Sequence, residues 1–338
     1  MVPAILRSLG RCVAVGGAGV LLAAVSPASS SEHARAAFKR PAAIPFPESN
    51  PHSPSKEQLG RMLFFDVRLS KREDRSCAGC HDPKREFADG RTLPVGSDAR
   101  PITRHVPTLW NLAWSSRFFW DGRAATLEEQ VLEPIRTEMG LPWGELVGRL
   151  SSDPNLSARF AEGFPADPRT TVENVAAALA TYLRTLVSPR NRFDAWVEGD
   201  ESALSPGERR GFAIFTGKAG CSRCHAGWAF TDNRFHDTGI ADDADPGRGA
   251  VDGPALAHAF KTPTLRGVRW SQPFMHNGRI AKLGYVVEHY EHNFVPRPTL
   301  SSEMATFALS GDERDDLVSF LRAIGDHDGD RAGAPTSP

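Results

Sequence analysis

The chain is 338 residues long, which suits one large or two ordinary domains. With 40% hydrophobic and 24% charged residues it can bury a core, which excludes disorder along its whole length. Forty basic against 41 acidic side chains leave a formal charge of −1, which excludes the basic surface of a non-specific nucleic-acid binder. At the N-terminus, Arg7 and Arg11 precede an apolar run from Val13 to Val25, followed by Ser26-Pro27-Ala28-Ser29-Ser30. That pattern reads as a secretory signal over residues 1–31, too short and too rich in glycine for a secure membrane span of roughly 20 residues. Cleavage leaves an exported, periplasmic protein with no membrane span; retention would make the segment an anchor. Residues 32–54, with Pro41, Pro45, Pro47, Pro51 and Pro54, read as an extended arm. Helix starts then recur as capping boxes at Ser55/Gln58, Thr126/Glu129, Thr170/Glu173, Ser205/Glu208 and Ser310/Glu313. A helical stripe runs from Val172 to Val187 and stops at Ser188-Pro189. Strand-like alternation is scarce, so the fold class is mainly α with long loops.

Four of the five cysteines form Cys77-Ala-Gly-Cys80-His81 and Cys221-Ser-Arg-Cys224-His225, the C-x-x-C-H pattern of covalent c-type haem attachment. Two cysteines three apart can make thioethers to one porphyrin while the next histidine reaches the iron, so His81 and His225 read as proximal ligands. A zinc site would need four ligands at each motif, and disulfides would leave both histidines unexplained. Gly60-Arg-Met-Leu-Phe64 precedes the first motif and Gly211-Phe-Ala-Ile-Phe215 the second; Phe87-Ala-Asp89 and Phe230-Thr-Asp232 follow them. This duplication predicts two cytochrome c-like haem domains, 55–195 and 196–328, with a break near 188–204 and a disordered tail at 329–338. The residue opposite each histidine stays open among Met62, Met139, Met275, Met304, His105, His236, His258, His276, His289, His292 and Tyr290. If both irons are capped the chain carries electrons; if one is open it activates a small oxidant.

The order of motifs goes further. Pro107-Thr-Leu-Trp-Asn111 and Phe119-Trp-Asp-Gly-Arg123 follow the first haem motif. Thr262-Pro-Thr-Leu-Arg266 and Pro273-Phe-Met-His-Asn-Gly278 follow the second. Over about residues 40–325 the chain resembles the bacterial di-haem cytochrome c peroxidases, most closely their MauG-like branch. The resemblance implies that hydrogen peroxide reacts at the N-terminal haem and that Trp120 bridges to the C-terminal haem. Trp110, Trp114, Trp143, Trp196, Trp228 and Trp270 read instead as core. The family's distal glutamine and glutamate match Gln130 and Glu138, beside Pro134. Its reductively released histidine matches Ser97, which implies an N-terminal haem open without activation. The distal ligand of the C-terminal haem matches Tyr290, where MauG has tyrosine and the peroxidases methionine. A calcium ion sits between the haems in the family, on an asparagine side chain and two backbone carbonyls. The carbonyl positions match Ser271 and Pro273, but the asparagine position is His105, a nitrogen donor where calcium prefers oxygen.

The resemblance therefore implies an enzyme with two haem c groups that stores oxidising equivalents from hydrogen peroxide and withdraws electrons from a partner protein. The alternative is a peroxidase that reduces peroxide to water with electrons from a small cytochrome or copper protein. A pure electron carrier is the third reading.

Overall fold

Side-chain oxygens set where the helices of this chain begin. In the computed structural model, which describes Met1 and residues 35–96, 102–241 and 244–326, Ser53 accepts the Lys56 N–H and α1 spans Pro54–Phe65. The cap expected at Ser55 therefore moves to Ser53. Pro54 has no N–H to lose and takes the first helical position, so the cap falls immediately before it. Thr126 and Glu129 close the expected box on α2 (Leu127–Thr137). α3 (Trp143–Ser151) and α4 (Pro154–Gly163) follow. α5 (Val172–Thr185) is capped by Thr171 instead of Thr170. Asn174 gives its backbone N–H to Thr171 and turns its side chain back onto the Asp167 and Arg169 carbonyls, which fixes that start. α6 (Arg192–Val197) opens on an Asn191/Asp194 box, and α7 (Pro206–Thr216) on the expected box at Ser205. α8 (Gly249–Asp252) and α9 (Leu283–Glu288) are short, and α9 passes into a π-helical turn over His289–Asn293. α10 (Gly311–Gly325) starts at the Ser310 box. Regular sheet among the described residues is a single antiparallel pair, β1 (Phe235–His236) and β2 (Phe260–Lys261). The signal over 1–31, Ser97 and the tail over 329–338 lie outside the described residues.

The apolar faces of these helices collect into two clusters. The first joins Leu59, Leu63 and Phe64 of α1, Leu127 and Ile135 of α2, Leu146 and Leu150 of α3, Phe160 of α4 and Leu179 and Leu183 of α5. The second joins Phe193 and Trp196 of α6, Phe212 and Phe215 of α7, Leu283 and Val287 of α9, and Leu317, Phe320 and Ile324 of α10. The change of cluster falls between Leu186 and Phe193. The proline-rich arm crosses to the second cluster, where the Phe38 ring lies 5.0 to 5.9 Å from those of Phe193, Phe212 and Phe230.

Each cluster is built on one close helix crossing, and a glycine permits it. A Cβ on Gly60 would fall 1.9 Å from the Ala178 carbonyl oxygen, so α1 crosses α5 with backbone nearly touching backbone. A Cβ on Gly211 would fall 2.1 Å from the Asp316 carbonyl oxygen, where α7 crosses α10. The duplicated Gly-x-x-x-Phe segments are thus the same packing device used twice. The repetition extends beyond the short sequence matches: Phe118 bridges to Ala124 as Phe274 bridges to Ile280. Within those loops Phe119 and Met275 both have left-handed backbone, at φ 66° and 72°. By that register His276 occupies in the second half the place of Trp120 in the first.

Candidate functional site

Both haem motifs fold the same way. Cys77–Gly79 and Cys221–Arg223 each form a short 3-10 turn, and the His81 and His225 backbone N–H groups bond back to the Cys77 and Cys221 carbonyls at 2.9 Å. His81 Nδ1–H donates to the Phe87 carbonyl at 2.8 Å, and His225 Nδ1–H to the Phe230 carbonyl at 2.9 Å. Phe87 and Phe230 have left-handed backbone, at φ 56° and 53°. With Nδ1 committed and burial lowering both imidazole pKa values, each ring is neutral and keeps its Nε2 lone pair for a metal. The four cysteines are free, and burial pushes the Cys77 and Cys221 thiols up to about 12. Cys224, Asp232 and His236 converge as three donors, one short of a structural zinc site.

One cavity of about 790 Å³ is lined by both motifs together. On the side of the first motif, Gln130, Pro134 and Glu138 line it from α2 and the residue that ends it. The Gln130 side-chain oxygen is buried with no protein partner. Burial raises the Glu138 carboxyl above its ordinary value; Arg123 opposes this and Glu133 adds to it. The Glu138 charge in turn helps raise the Cys80 thiol, after burial itself. On the side of the second motif, Tyr290 lines the cavity from the π-helical turn, and burial, then Cys224 and Cys221, raise its phenol. Trp120 sits where the halves meet. Its Nε1–H donates to the His105 carbonyl at 2.8 Å, and its own carbonyl accepts the Lys261 N–H at 2.7 Å. His105 N–H makes the mirrored bond to the His276 carbonyl at 2.7 Å.

The family model of the di-haem cytochrome c peroxidases matches residues 54–202. The methylamine utilization protein MauG of Methylorubrum extorquens is 45% identical over 295 residues, covering 86% of this chain and 84% of that protein. Its namesake in Methylophilus methylotrophus is 43% identical, covering 86% and 88%. The chain belongs to the di-haem cytochrome c peroxidase and MauG family. A crystal structure of a MauG-like protein associated with microbial copper homeostasis aligns with a TM-score of 0.78 at 29% identity, covering 85% of this chain and 95% of that one. As a member of this family the chain is a peroxide-dependent oxidoreductase with two haems. The shared cavity, the free cysteines and the two oriented histidines fit that pair of groups.

The remaining candidates sort by position. Met139, Met275, Met304, His105, His236, His276 and Tyr290 line the cavity; Met62, His258, His289 and His292 do not. His289 Nε2 is taken by the Thr238 carbonyl at 2.8 Å, and His292 is exposed. His236 is held by Asp232 at 2.8 Å on Nε2 and by Ser301 at 2.9 Å on Nδ1. The Asp232 bond, then Cys224, raises its pKa to about 10, and the ring lies buried beside the second motif. From the sequence, His236 stands out only as a candidate ligand. Trp270, expected in the core, is 40% exposed and stacks on Arg269.

Ser271 and Pro273 line the cavity, and the third position that the resemblance gives, His105, does not fit calcium. His105 is buried, its Nδ1–H donates to the Arg91 carbonyl at 2.8 Å, and its free Nε2 has no partner. A ring nitrogen stands where calcium asks for oxygen.

Proposed function

We propose that this family member is an exported, periplasmic, MauG-like enzyme that uses hydrogen peroxide to withdraw electrons from a partner protein. Cys77 and Cys80 would hold one haem c with His81 on its iron, and Cys221, Cys224 and His225 the other, one in each of the segments 55–195 and 196–328. The observation that carries this reading is the asymmetry of the shared cavity, with Gln130 and Glu138 facing it beside the first motif and Tyr290 beside the second.

When bound, the haems supply cleavage of the peroxide O–O bond and storage of its oxidising equivalents. Glu138, once ionised, accepts a proton from peroxide and returns it to the departing oxygen. The Gln130 amide donates a hydrogen bond to the oxygen on which charge develops. Trp120, fixed at its Nε1 by the His105 carbonyl, is the aromatic link between the halves. Tyr290 would give the second iron a phenolic oxygen, a donor that favours higher oxidation states over the ferrous state.

A peroxide titration of the ferric holoprotein, followed by optical and EPR spectroscopy, tests the reading. One open and one six-coordinate haem, with spectral change at both on adding peroxide, is expected; two six-coordinate haems that ignore peroxide would overturn it. Rapid turnover with a small cytochrome or copper protein, without prior reduction, would favour the peroxidase alternative. Tyr290→Met should change the spectrum of the second haem and raise its reduction potential; an unchanged spectrum removes Tyr290 as ligand.

A further inference from the structure

The internal repeat pairs Trp110, in Pro107-Thr-Leu-Trp110, with Arg266, in Pro263-Thr-Leu-Arg266. Both side chains pack behind the loop that holds a haem histidine, and their chemistry is opposite. Trp110 is 6% exposed and its Nε1–H donates at 2.6 Å to Glu86, itself 8% exposed. The indole meets Phe87 edge-on at 4.7 Å, and the Phe87 carbonyl is the one that holds His81. Gly267 lies against the pair from the second half: a Cβ there would fall 2.8 Å from the Glu86 carboxylate and 3.4 Å from the indole. At the matching place Arg266 is 1% exposed, paired with Asp194 at 2.8 Å, behind the loop whose Phe230 carbonyl holds His225.

We infer that Trp110 is an oxidisable relay residue on the His81 side, with Glu86 as its proton acceptor. The inference rests on the peroxide-dependent reading above. An indole gives up an electron more readily when a carboxylate oxygen accepts its N–H bond, because that oxygen can take the proton that the oxidised ring sheds. The step balances. Trp110 loses one electron to the oxidising equivalents that hydrogen peroxide delivers to this half, and its Nε1 proton crosses to Glu86. A neutral indolyl radical and a protonated carboxyl remain. Three other tryptophans sit in different surroundings. Trp120 donates to a backbone carbonyl, which takes no proton at ordinary pH. Trp228 lies between Arg40 and Arg266, whose guanidinium carbons are 5.4 and 5.9 Å from its ring and oppose a positive hole. Trp196 bonds at 3.2 Å to Glu201, whose side chain is exposed. Oxidising equivalents that find no partner protein therefore settle on Trp110.

The test uses holoprotein grown with indole-deuterated tryptophan, mixed with excess hydrogen peroxide without an electron donor and freeze-quenched for EPR, with the haem absorbance recorded in parallel. A haem response is expected together with a tryptophan radical that Trp110→Phe loses and Glu86→Gln weakens, while both variants keep haem content and the optical response. A haem response with no tryptophan radical, or a radical unchanged in Trp110→Phe, overturns the assignment and leaves the peroxide reading standing. No haem response at all overturns the peroxide reading and the relay with it. Peptide mass spectrometry of peroxide-treated wild-type protein needs no variant: oxygenation at Trp110 supports the relay, and oxygenation confined to other tryptophans overturns it.

Discussion

A carboxyl that lines an apolar cavity resists ionisation, and at Glu138 that resistance has two measurable consequences. Burial raises its pKa, with Arg123 opposing and Glu133 assisting, so the group is protonated at pH values where an ordinary glutamate is charged. As a base it works only when ionised. The rate of the peroxide reaction should therefore rise with pH through this elevated pKa and then level. Glu138→Gln should abolish that limb and slow the reaction about 100-fold or more, the usual weight of a positioned base; stopped-flow absorbance across pH reads both. The sign for stability is opposite. A raised folded pKa contributes stability that is present below the unfolded pKa and lost as pH rises through the folded one. At neutral pH Glu138→Gln should accordingly be neutral or mildly stabilising in thermal unfolding, an exchange of activity for stability. Residues of this kind were legible only through long motifs. The C-x-x-C-H spacing is dictated by covalent geometry, whereas His236 depends on Asp232 and Ser301, which meet it only in the folded chain.

Among the helices, the duplicated glycines carry the strongest expectation. A methyl on Gly60 or Gly211 would collide with a carbonyl of the crossing helix at 1.9 or 2.1 Å, contacts that neither backbone can accept without moving. Gly60→Ala and Gly211→Ala should each cost about 1–3 kcal/mol in denaturant unfolding, the usual penalty of overpacking. Gly148 is the control. It lies inside α3 with nothing within 4 Å of its missing Cβ, so Gly148→Ala should stabilise by about 0.5–1 kcal/mol through helix propensity alone. If all three variants behaved alike, glycine content would matter only through propensity and the close crossings would be irrelevant. Helix existence was readable from capping boxes because a cap is a local bond; Thr126, Ser205 and Ser310 act as expected. The starts at Ser53 and Thr171 were missed by a residue or two, because Pro54 in one case and the Asn174 side chain in the other chose between neighbouring hydroxyls. The tight crossings were hidden, since a glycine four residues before a phenylalanine says nothing about what faces it.

At the scale of the whole molecule, the arm and the second cluster are tied together by a buried charge group with no local sequence signature. Asp194, 2% exposed, forms ion pairs with Arg40 of the arm at 2.9 Å and with Arg266 at 2.8 Å. Burial alone would raise the Asp194 carboxyl, yet Arg266 and Arg40 hold it below its ordinary value; burial pushes Arg266 down to about 10. These partners are separated along the chain by 154 residues (194 − 40) and 72 residues (266 − 194), so no pattern of spacing could announce them. Two charges of one sign surround a single charge of the other, and removing the anion leaves both guanidinium groups buried and uncompensated. Asp194→Asn should therefore cost about 3–5 kcal/mol, the typical penalty for breaking a buried pair. A depressed folded pKa contributes stability that is present above the unfolded pKa and lost as pH falls through the folded one. The wild-type protein should lose stability on acidification to low pH, and Asp194→Asn should lose that part of the dependence along with the stability itself. Urea unfolding at neutral and acid pH, followed by tryptophan fluorescence, separates the two effects. Because Arg40 is half of the cage, Arg40→Met should recover part of the loss in the Asp194→Asn background, which an unrelated defect in α6 would not allow.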